Sequence, residues 1–407
     1  GLGFSPLAAS GLSLIANTAP VAFGALGTPV ITLAKVHGYD LMEVTAMIGR
    51  QLPFFSVLVP FWLIWAFAGR KAMWEIWPAI LVTGVSFAIP QFLVSNYIGP
   101  ELVDIIAAIV SMASLIAFLR VWQPKKIWTS PSMRGHDPSA AEAKPAQPVV
   151  RYSRAQLINA WMPWLILSVC VFVWGLPSVK AALNGIFAPA FPMDGLHNLI
   201  EKMPPVVPNP TKEGAVYTLN LLSATGTGIL LSAIISAFVM KYNPVAIVRT
   251  FFKTTWLVRY SLLTIVLMLA LGTLTRYSGT DTTLGLAFAN TGVLYPFFGT
   301  LMGWIGVALT GSDTASNVLF GGMQKVAAEQ LGLSPNLMGA ANSSGGVMGK
   351  MIDAQSIVVA STATRWFNHE GDILRFVFFH SIALACLVGL LVSLQAYVWP
   401  FTSMVVR

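Results

Sequence analysis

Charge is what this sequence lacks. Of 407 residues, 10% are Asp, Glu, Lys or Arg and 56% are apolar, with a mean hydropathy of +0.71. That balance excludes an ordinary soluble domain, in which about a quarter of residues are charged. Cysteine is nearly absent as well: Cys170 and Cys386 sit apart in apolar runs, with no CxxC or Cys/His spacing. A disulfide framework and a cysteine metal centre are excluded, and both residues read as small packing side chains. HExxH, GxSxG and a dinucleotide fingerprint are all missing. SGGVMGKM approaches a P-loop, but Ser344 replaces the first glycine, Met351 replaces the Ser/Thr, and no soluble strand precedes it. With no nucleophile, metal set or acid/base pair, the chain is not expected to be an enzyme, and neither cofactor nor metal is expected. His37, His136, His197, His369 and His380 are scattered. Of these His380 alone looks embedded, and it reads as a packed histidine more readily than as a proton relay.

What is there is apolar sequence in lengths that cross a bilayer, each needing about 20 residues. Spans are expected near 52–68, 74–93, 102–121, 155–176, 217–240, 257–275, 284–309 and 374–400, with less regular apolar segments at 7–34 and 314–361. Short alternating segments of the outer-membrane barrel kind are absent. The chain therefore reads as an all-α polytopic membrane protein whose main partner is the lipid bilayer. The formal charge of +8 comes from Lys and Arg clustered between spans, a pattern that topology explains without nucleic acid.

Arg120, Lys125, Lys126, Arg134, Lys144, Arg151 and Arg154 stand against only Asp137 and Glu142, which places the connection 122–154 in the cytoplasm. Its Pro, Ala and Ser content suits a linker between two halves, 1–121 and 155–407. Alternation then puts 94–101 outside, Arg70 and Lys71 inside, 177–216 in the periplasm, and Lys241, Arg249, Lys253 and Arg259 inside. Within 177–216 the stretch AALNGIFAPAFPMDGLHNLIEKMPPVVP is expected to form one short amphipathic helix that its prolines end.

Two segments echo each other. GLGFSPLAASGLSLIANTAP near the start and QLGLSPNLMGAANSSGG near the end both read LG, a large apolar residue, SP, and then a small-residue, Asn-rich break, at Asn17-Thr18 and Asn342-Ser343. An internal repeat is the reading this favours. In the second copy TGSDTASN precedes LGLSP, whereas nothing precedes the first copy and there is no initiator Met. The expectation is a chain truncated at its N-terminus.

Hydrocarbon cannot satisfy bare backbone groups, so Gly, Pro and Asn clusters at membrane depth survive only inside protein or along a cavity. Small residues alone also serve close helix packing, which suffices for Gly226 and Gly228. NTAPVAFGALGTP, TGSDTASN and NSSGGVMGKMIDAQS add ionisable and amide side chains, which are expensive in a membrane and mark pathways or sites. These clusters fit the broken or re-entrant helices of an inverted-repeat secondary transporter, whose half-helix N-termini face an anion. Their candidate substrate-binding residues are Asn17, Thr18, Gly24, Gly27, Ser312, Thr314, Asn317, Asn342, Ser343, Ser344, Lys350 and Gln355.

NTAPVAFGALGTP, GRQLPF, SNYIGPEL, LTGSDTASN and NSSGGVMGKM-x-x-QSI together resemble the lactate permease family of bacterial inner-membrane transporters, in order from Gly1 to the C-terminus. The resemblance implies a multi-pass inner-membrane protein that takes up L-lactate, and in relatives D-lactate and glycolate, with protons. It also implies an acidic, Gly-rich motif before Gly1. Relatives commonly read GKMISPQS where this chain reads GKMIDAQS, so Asp353 is either an extra acid or a surface residue at a helix end. Lys350, helped by Ser343, Ser344 and Asn342, is the expected anion-binding cation; Arg50 is a second candidate, with a snorkelling role equally open. Ser312 or Asp313 caps a half-helix on one reading. On the other, buried Asp313 takes up a proton with substrate and releases it inside. A sodium-coupled symporter of another small organic anion stays open. A membrane sensor accounts for the spans but not for charged, broken helices.

Overall fold

The computed structural model describes residues 5–18, 20–124, 153–204, 209–257, 259–366 and 368–406. Most of the expected cytoplasmic linker therefore lies outside the described residues. The chain forms two compact units, Gly1–Pro148 with Ser278–Arg407, and Val149–Tyr277. This grouping differs from the expected halves, because helices after Ser278 pack on helices before the linker.

The first unit opens with α1 (Pro6–Ala16), α2 (Gly24–His37), α3 (Leu41–Ile48), α4 (Leu52–Glu75), α5 (Trp77–Tyr97) and α6 (Val103–Val121). The expected span 52–68 is the part of α4 before Gly69, whose φ of 81° and ψ of 172° break the helix beside Arg70. Glycine alone adopts such backbone at little cost. Gly84 of α5 sits so near α4 that a Cβ there would lie 2.9 Å from the Cα of Val57.

The second unit holds α7 (Arg154–Gly175), α8 (Pro177–Ile186), β1 (Ala190–Pro192), β2 (Glu201–Lys202), β3 (Thr211–Lys212), β4 (Val216–Thr218), α9 (Thr225–Val239), α10 (Pro244–Leu257) and α11 (Arg259–Ser278). The one short helix expected within 177–216, ended ahead of its prolines, is α8. Helix α8 stops at Ile186, and the Pro- and Gly-containing remainder forms a nested antiparallel ribbon, β1 against β4 and β2 against β3. Because Val216–Thr218 belongs to that ribbon, the span expected at 217–240 shortens to α9. Glu213 closes the ribbon: its carboxylate takes Lys202 Nζ at 2.8 Å and Arg276 Nε at 2.8 Å, with the second Arg276 nitrogen also on Oε1.

Back in the first unit come α12 (Thr280–Ala289), α13 (Tyr295–Thr310), α14 (Asp313–Gln330), α15 (Pro335–Gly349), α16 (Ala354–Thr364) and α17 (Glu370–Tyr397). The expected span 284–309 is thus two helices. Asn290 caps α12, Gly292 takes a φ of 60° in a short 3-10 turn, and Pro296 opens α13. Among the described residues six helical stretches are long and apolar enough to cross a membrane: Leu41–Glu75, Trp77–Tyr97, Val103–Val121, Arg154–Gly175, Gly292–Thr310 and Glu370–Tyr397.

Both LGxSP copies fold alike locally. Ser5 Oγ accepts from Ala8 N–H at 3.3 Å and Ser334 Oγ from Leu337 N–H at 3.4 Å, with Pro6 and Pro335 opening α1 and α15. These are serine N-caps followed by proline at the first helical position, where its missing N–H costs nothing.

The core of the first unit is the triple contact of α13, α14 and α15. Helices α13 and α15 run parallel, since Gly299 faces Met338 and Trp304 faces Gly349; α14 runs opposite to both, with Gly306 facing Ser316 and Gly299 facing Gln324. Gly303, Gly345 and Gly349 place backbone against backbone, on Asn342 O, Thr300 O and Trp304 O. No larger side chain fits at those crossings.

The ribbon makes a pH prediction. Partial burial pushes the Glu213 carboxyl up, but its hydrogen bonds and charge interactions with Lys202 and Arg276 outweigh that and hold it below the ordinary glutamate value. A lowered folded value means that the stabilisation is complete above the ordinary glutamate range, near 4.3, and fades as pH falls through the lower folded value. Protection of the Glu213 amide, which bonds Ile200 O at 2.8 Å, should therefore drop in acid once exchange is corrected for its intrinsic pH dependence. In Glu213→Gln the protection should be weaker and flat across that window.

Candidate functional site

Gly311 and Ser312 make the break that TGSDTASN implies. Gly311 ends α13 with a φ of 71°, and Ser312, in extended backbone, caps α14 by accepting from Ala315 N–H at 3.3 Å. Of the two capping candidates the serine does the capping. Asp313 is left free for other partners at the first position of α14.

Those partners come from α15. Asp313 is 3% exposed, and its Oδ2 accepts from Ser343 Oγ at 2.6 Å. Its Oδ1 is buried without a hydrogen-bond partner and lies against Gly346, where a Cβ would come to 2.5 Å. Ser343 Oγ also meets Asn317 Nδ2 at 3.2 Å, and Asn317 Nδ2 reaches Pro29 O of α2 at 3.2 Å. Asn342 Nδ2 donates to Asn317 Oδ1 at 2.9 Å, and Gln324 Nε2 bonds Asn342 Oδ1 at 3.2 Å and Gly299 O at 2.7 Å. Tyr295 Oη ends the series on Gln324 Oε1 at 2.8 Å. Ser316 joins from the side, donating to Gly303 O at 3.2 Å.

So Asp313, Asn317, Asn342 and Ser343 do meet, but on an unbroken helix. Asn342 and Ser343 lie inside α15, which runs to Gly349; the expected break there is corrected to Lys350–Asp353. Small residues at 345, 346 and 349 serve the close contact with α13 and α14. Ser344 is buried with Oγ unpartnered, and Thr314 is half-buried.

Lys350 and Gln355 gather at the other side of Gly311. Lys350 Nζ donates to Gly311 O at 2.7 Å and pairs with Asp353 Oδ2 at 3.1 Å, while Gln355, exposed, lies beside Gly311. Asp353 is at a helix end but not on the surface: it is fully buried and caps α16 by accepting from Ser356 N–H at 2.8 Å. One carboxylate thus starts α16 and offsets the charge of Lys350.

The first cluster meets the others differently from expectation. Asn17 is exposed at the end of α1, and Thr18 donates to Ile15 O at 2.8 Å. Positive φ at Leu26 and Gly27 distorts the start of α2, with Gly27 pressed on Pro100; Gly24 is half-buried. Among the described residues no hydrogen bond joins Asn17, Thr18, Gly24 or Gly27 to Asp313, and the connection runs instead through Pro29 O.

Several residues outside the expected set take part. Gln324 follows Asn317 by seven and Asp313 by eleven, one face of an α-helix, so its place was readable from spacing. Tyr295 and His37 gave no such sign. His37 is buried, contrary to the expectation that only His380 is embedded, and its Nε2 lies 3.1 Å from Asn317 O and 2.9 Å from Val318 O. His380 accepts from Trp62 Nε1 at 3.1 Å, a packing role. Arg50 binds Asn96 Oδ1 at 3.0 Å and Met404 O at 2.9 Å, so it pins segments together.

The family model for L-lactate permease matches residues 1–399. The chain belongs to the L-lactate permease family. It is 47% identical to the glycolate permease GlcA of Escherichia coli strain K12, over 100% of this chain and 74% of that protein. It is 44% identical to the L-lactate permease of Salmonella typhimurium, over 98% of this chain and 72% of that protein. It is also 44% identical to the L-lactate permease of Bacillus subtilis strain 168, over 98% and 73%. No solved structure matches the chain. Membership in a permease family, with six apolar helical stretches among the described residues, makes this a multi-pass membrane protein of a transporter family.

Gly346 tests the site geometry. An alanine there would put its methyl 2.5 Å from Asp313 Oδ1 and 2.9 Å from Val307 Cγ2, overpacking that costs about 1–3 kcal/mol. Thermal unfolding of the detergent-solubilised Gly346→Ala variant should begin at lower temperature than wild type. Gly371→Ala, in α17 with open space at its position, should not lower it.

Proposed function

We propose that this permease takes up L-lactate and related 2-hydroxymonocarboxylates, D-lactate and glycolate, with protons across the bacterial inner membrane. The relatives' substrates support the chemical class. The basic connection 122–154 supports a cytoplasmic linker with 177–216 in the periplasm. The observation that carries the coupling is Asp313, a buried carboxylate at the first turn of α14 with one oxygen open.

The physical logic is charge. The first amides of α14 precede its first intrahelical bond, Ser316 N to Ser312 O at 3.0 Å, and helix N-termini attract anions. A substrate carboxylate placed there meets the Asp313 carboxylate, and two like charges in one buried site disfavour each other strongly. A proton on Asp313 removes the repulsion, so anion and proton enter together. Lys350, Ser343, Ser344 and Asn342, with Ser312, Thr314, Asn317 and Gln355, form the surrounding polar set. Asn17, Thr18, Gly24 and Gly27 belong to it only if the break before α2 moves toward α14.

Asp313→Asn tests the coupling in proteoliposomes holding the full-length protein. Asparagine retains an oxygen for Ser343 but carries no proton. Gradient-driven accumulation of radiolabelled lactate should fall to the level of passive equilibration, while downhill lactate exchange persists. Accumulation that survives in the variant removes Asp313 from coupling. Wild-type accumulation that resists a protonophore but collapses without sodium replaces the proton by sodium.

A further inference from the structure

The hydrogen bonds behind Asp313 all point one way, and two backbone carbonyls decide that direction. Gly299 O can only accept, so the Gln324 atom that meets it at 2.7 Å is Nε2. Gln324 Oε1 therefore faces Tyr295, whose hydroxyl must donate. Pro29 O likewise can only accept, so Asn317 presents Nδ2 to it and to Ser343. Asn317 Oδ1 then accepts from Asn342 Nδ2, and Asn342 Oδ1 is left to accept from Gln324 Nε2. Ser343 Oγ already accepts from Asn317, so its own proton goes to Asp313 Oδ2.

We infer that Tyr295, Gln324, Asn342, Asn317 and Ser343 form a one-directional hydrogen-bond chain that positions Asp313 and fixes Oδ1, facing Gly346, as the atom that takes the coupled proton. This rests on the reading of Asp313 as the proton carrier. Tyr295 is 1% exposed, and Gln324, Asn342, Asn317 and Ser343 are 0% exposed, so bulk water cannot relax the order. Along α14 the series from Asp313 to Gln324 covers eleven residues, about 16 Å at 1.5 Å each. Aligned donors polarise one another in a low-dielectric interior. Amide groups do not pass protons along such a series; they orient the last donor. With Oδ2 committed to Ser343, Oδ1 is the open position.

The anchor at Pro29 brings α2 into the device. While α2 lies on α14, Asn317 cannot turn its amide over. If α2 withdraws, that constraint lifts, Ser343 loses its donor, and its hold on the carboxylate loosens. The break at Leu26–Gly27 gives α2 a place to bend.

The test is the pH at which lactate uptake into proteoliposomes is half-maximal. Lys350 and Asp353 lie in the turn after α15, with Lys350 on the Gly311 carbonyl two residues before Asp313, His37 sits on the carbonyls of Asn317 and Val318, Tyr295 ends the chain on α13, and the sequence of α12 carries one acid, Asp281. All of these charged groups remain in the variants, so they cannot produce a difference between them. Ser343→Ala removes a donor that favours the charged carboxylate, so the side chain keeps its proton to higher pH. The half-point should rise by about one pH unit, a tenfold change in proton concentration. Tyr295→Phe loses only a remote hydroxyl and should shift it the same way by less. If Ser343→Ala does not fold, Tyr295→Phe still decides, because it is isosteric. A half-point unmoved in Tyr295→Phe overturns the chain, whether or not Ser343→Ala moves it. Asp313→Asn separates the two ideas. Loss of pH dependence there with no shift in the other two variants defeats the chain alone, whereas pH dependence retained there defeats the proton-carrier reading itself.

Discussion

The 2.6 Å bond from Ser343 to Asp313 depends on the close packing of α15 on α13 and α14, where Gly346 lies against both Asp313 and Val307. Gly303 opens room for the Asn342 carbonyl and Gly345 for the Thr300 carbonyl. At ordinary interaxial distances of about 8–10 Å the short side chains Ser343 and Asn342 would not reach α14. Larger side chains could span such a gap, but they would not exclude water as these do. The glycines set the distance, the distance permits the short donors, and the donors allow a carboxylate to sit buried at the end of α14.

How much of this the sequence discloses depends on what each residue type determines. TGSDT was legible as a break because glycine after a helix and serine before one are backbone requirements, satisfied locally at Gly311 and Ser312. NSSGG reads as a break yet stays helical for an equally physical reason. Glycine and serine lower helix propensity by less than about 1 kcal/mol each, and tertiary packing against α13 repays that, so a run that looks like a breaker stays helical. Composition cannot separate a helix loosened by small residues from one packed through them. The span at 284–309 failed in the opposite direction: its hydropathy is continuous, while Asn290, Gly292 and Pro296 divide it locally.

The site shows the same division. Asp313, Asn317 and Gln324 share a helical face, and that periodicity was available. What periodicity does not supply is the neighbour: that Pro29 O, and not Asn17 or Thr18, meets Asn317, or that Tyr295 closes the series. Those are facts of how α2 and α13 are placed on α14. Similarly, Asp353 read as a departure of unclear role, and only the fold shows one side chain serving as both helix cap and counter-ion.

That pairing bears on the charge of the proposed site. Lys350 was the expected partner for a substrate carboxylate, yet its ammonium already faces Asp353 at 3.1 Å and the Gly311 carbonyl at 2.7 Å. Breaking a buried pair leaves an uncompensated charge that costs more than the pair contributes, so an incoming anion does not simply take the lysine from its aspartate. With Lys350 and Asp353 offsetting each other, Asp313 is left as the unbalanced group, and it has the wrong sign for an anion. Helix-end amides contribute only about half a charge, too little to cancel a carboxylate beside a carboxylate. A proton on Asp313 makes up the difference. On this reading the lysine–aspartate pair is what makes the proton necessary: a free ammonium would bind the anion without one.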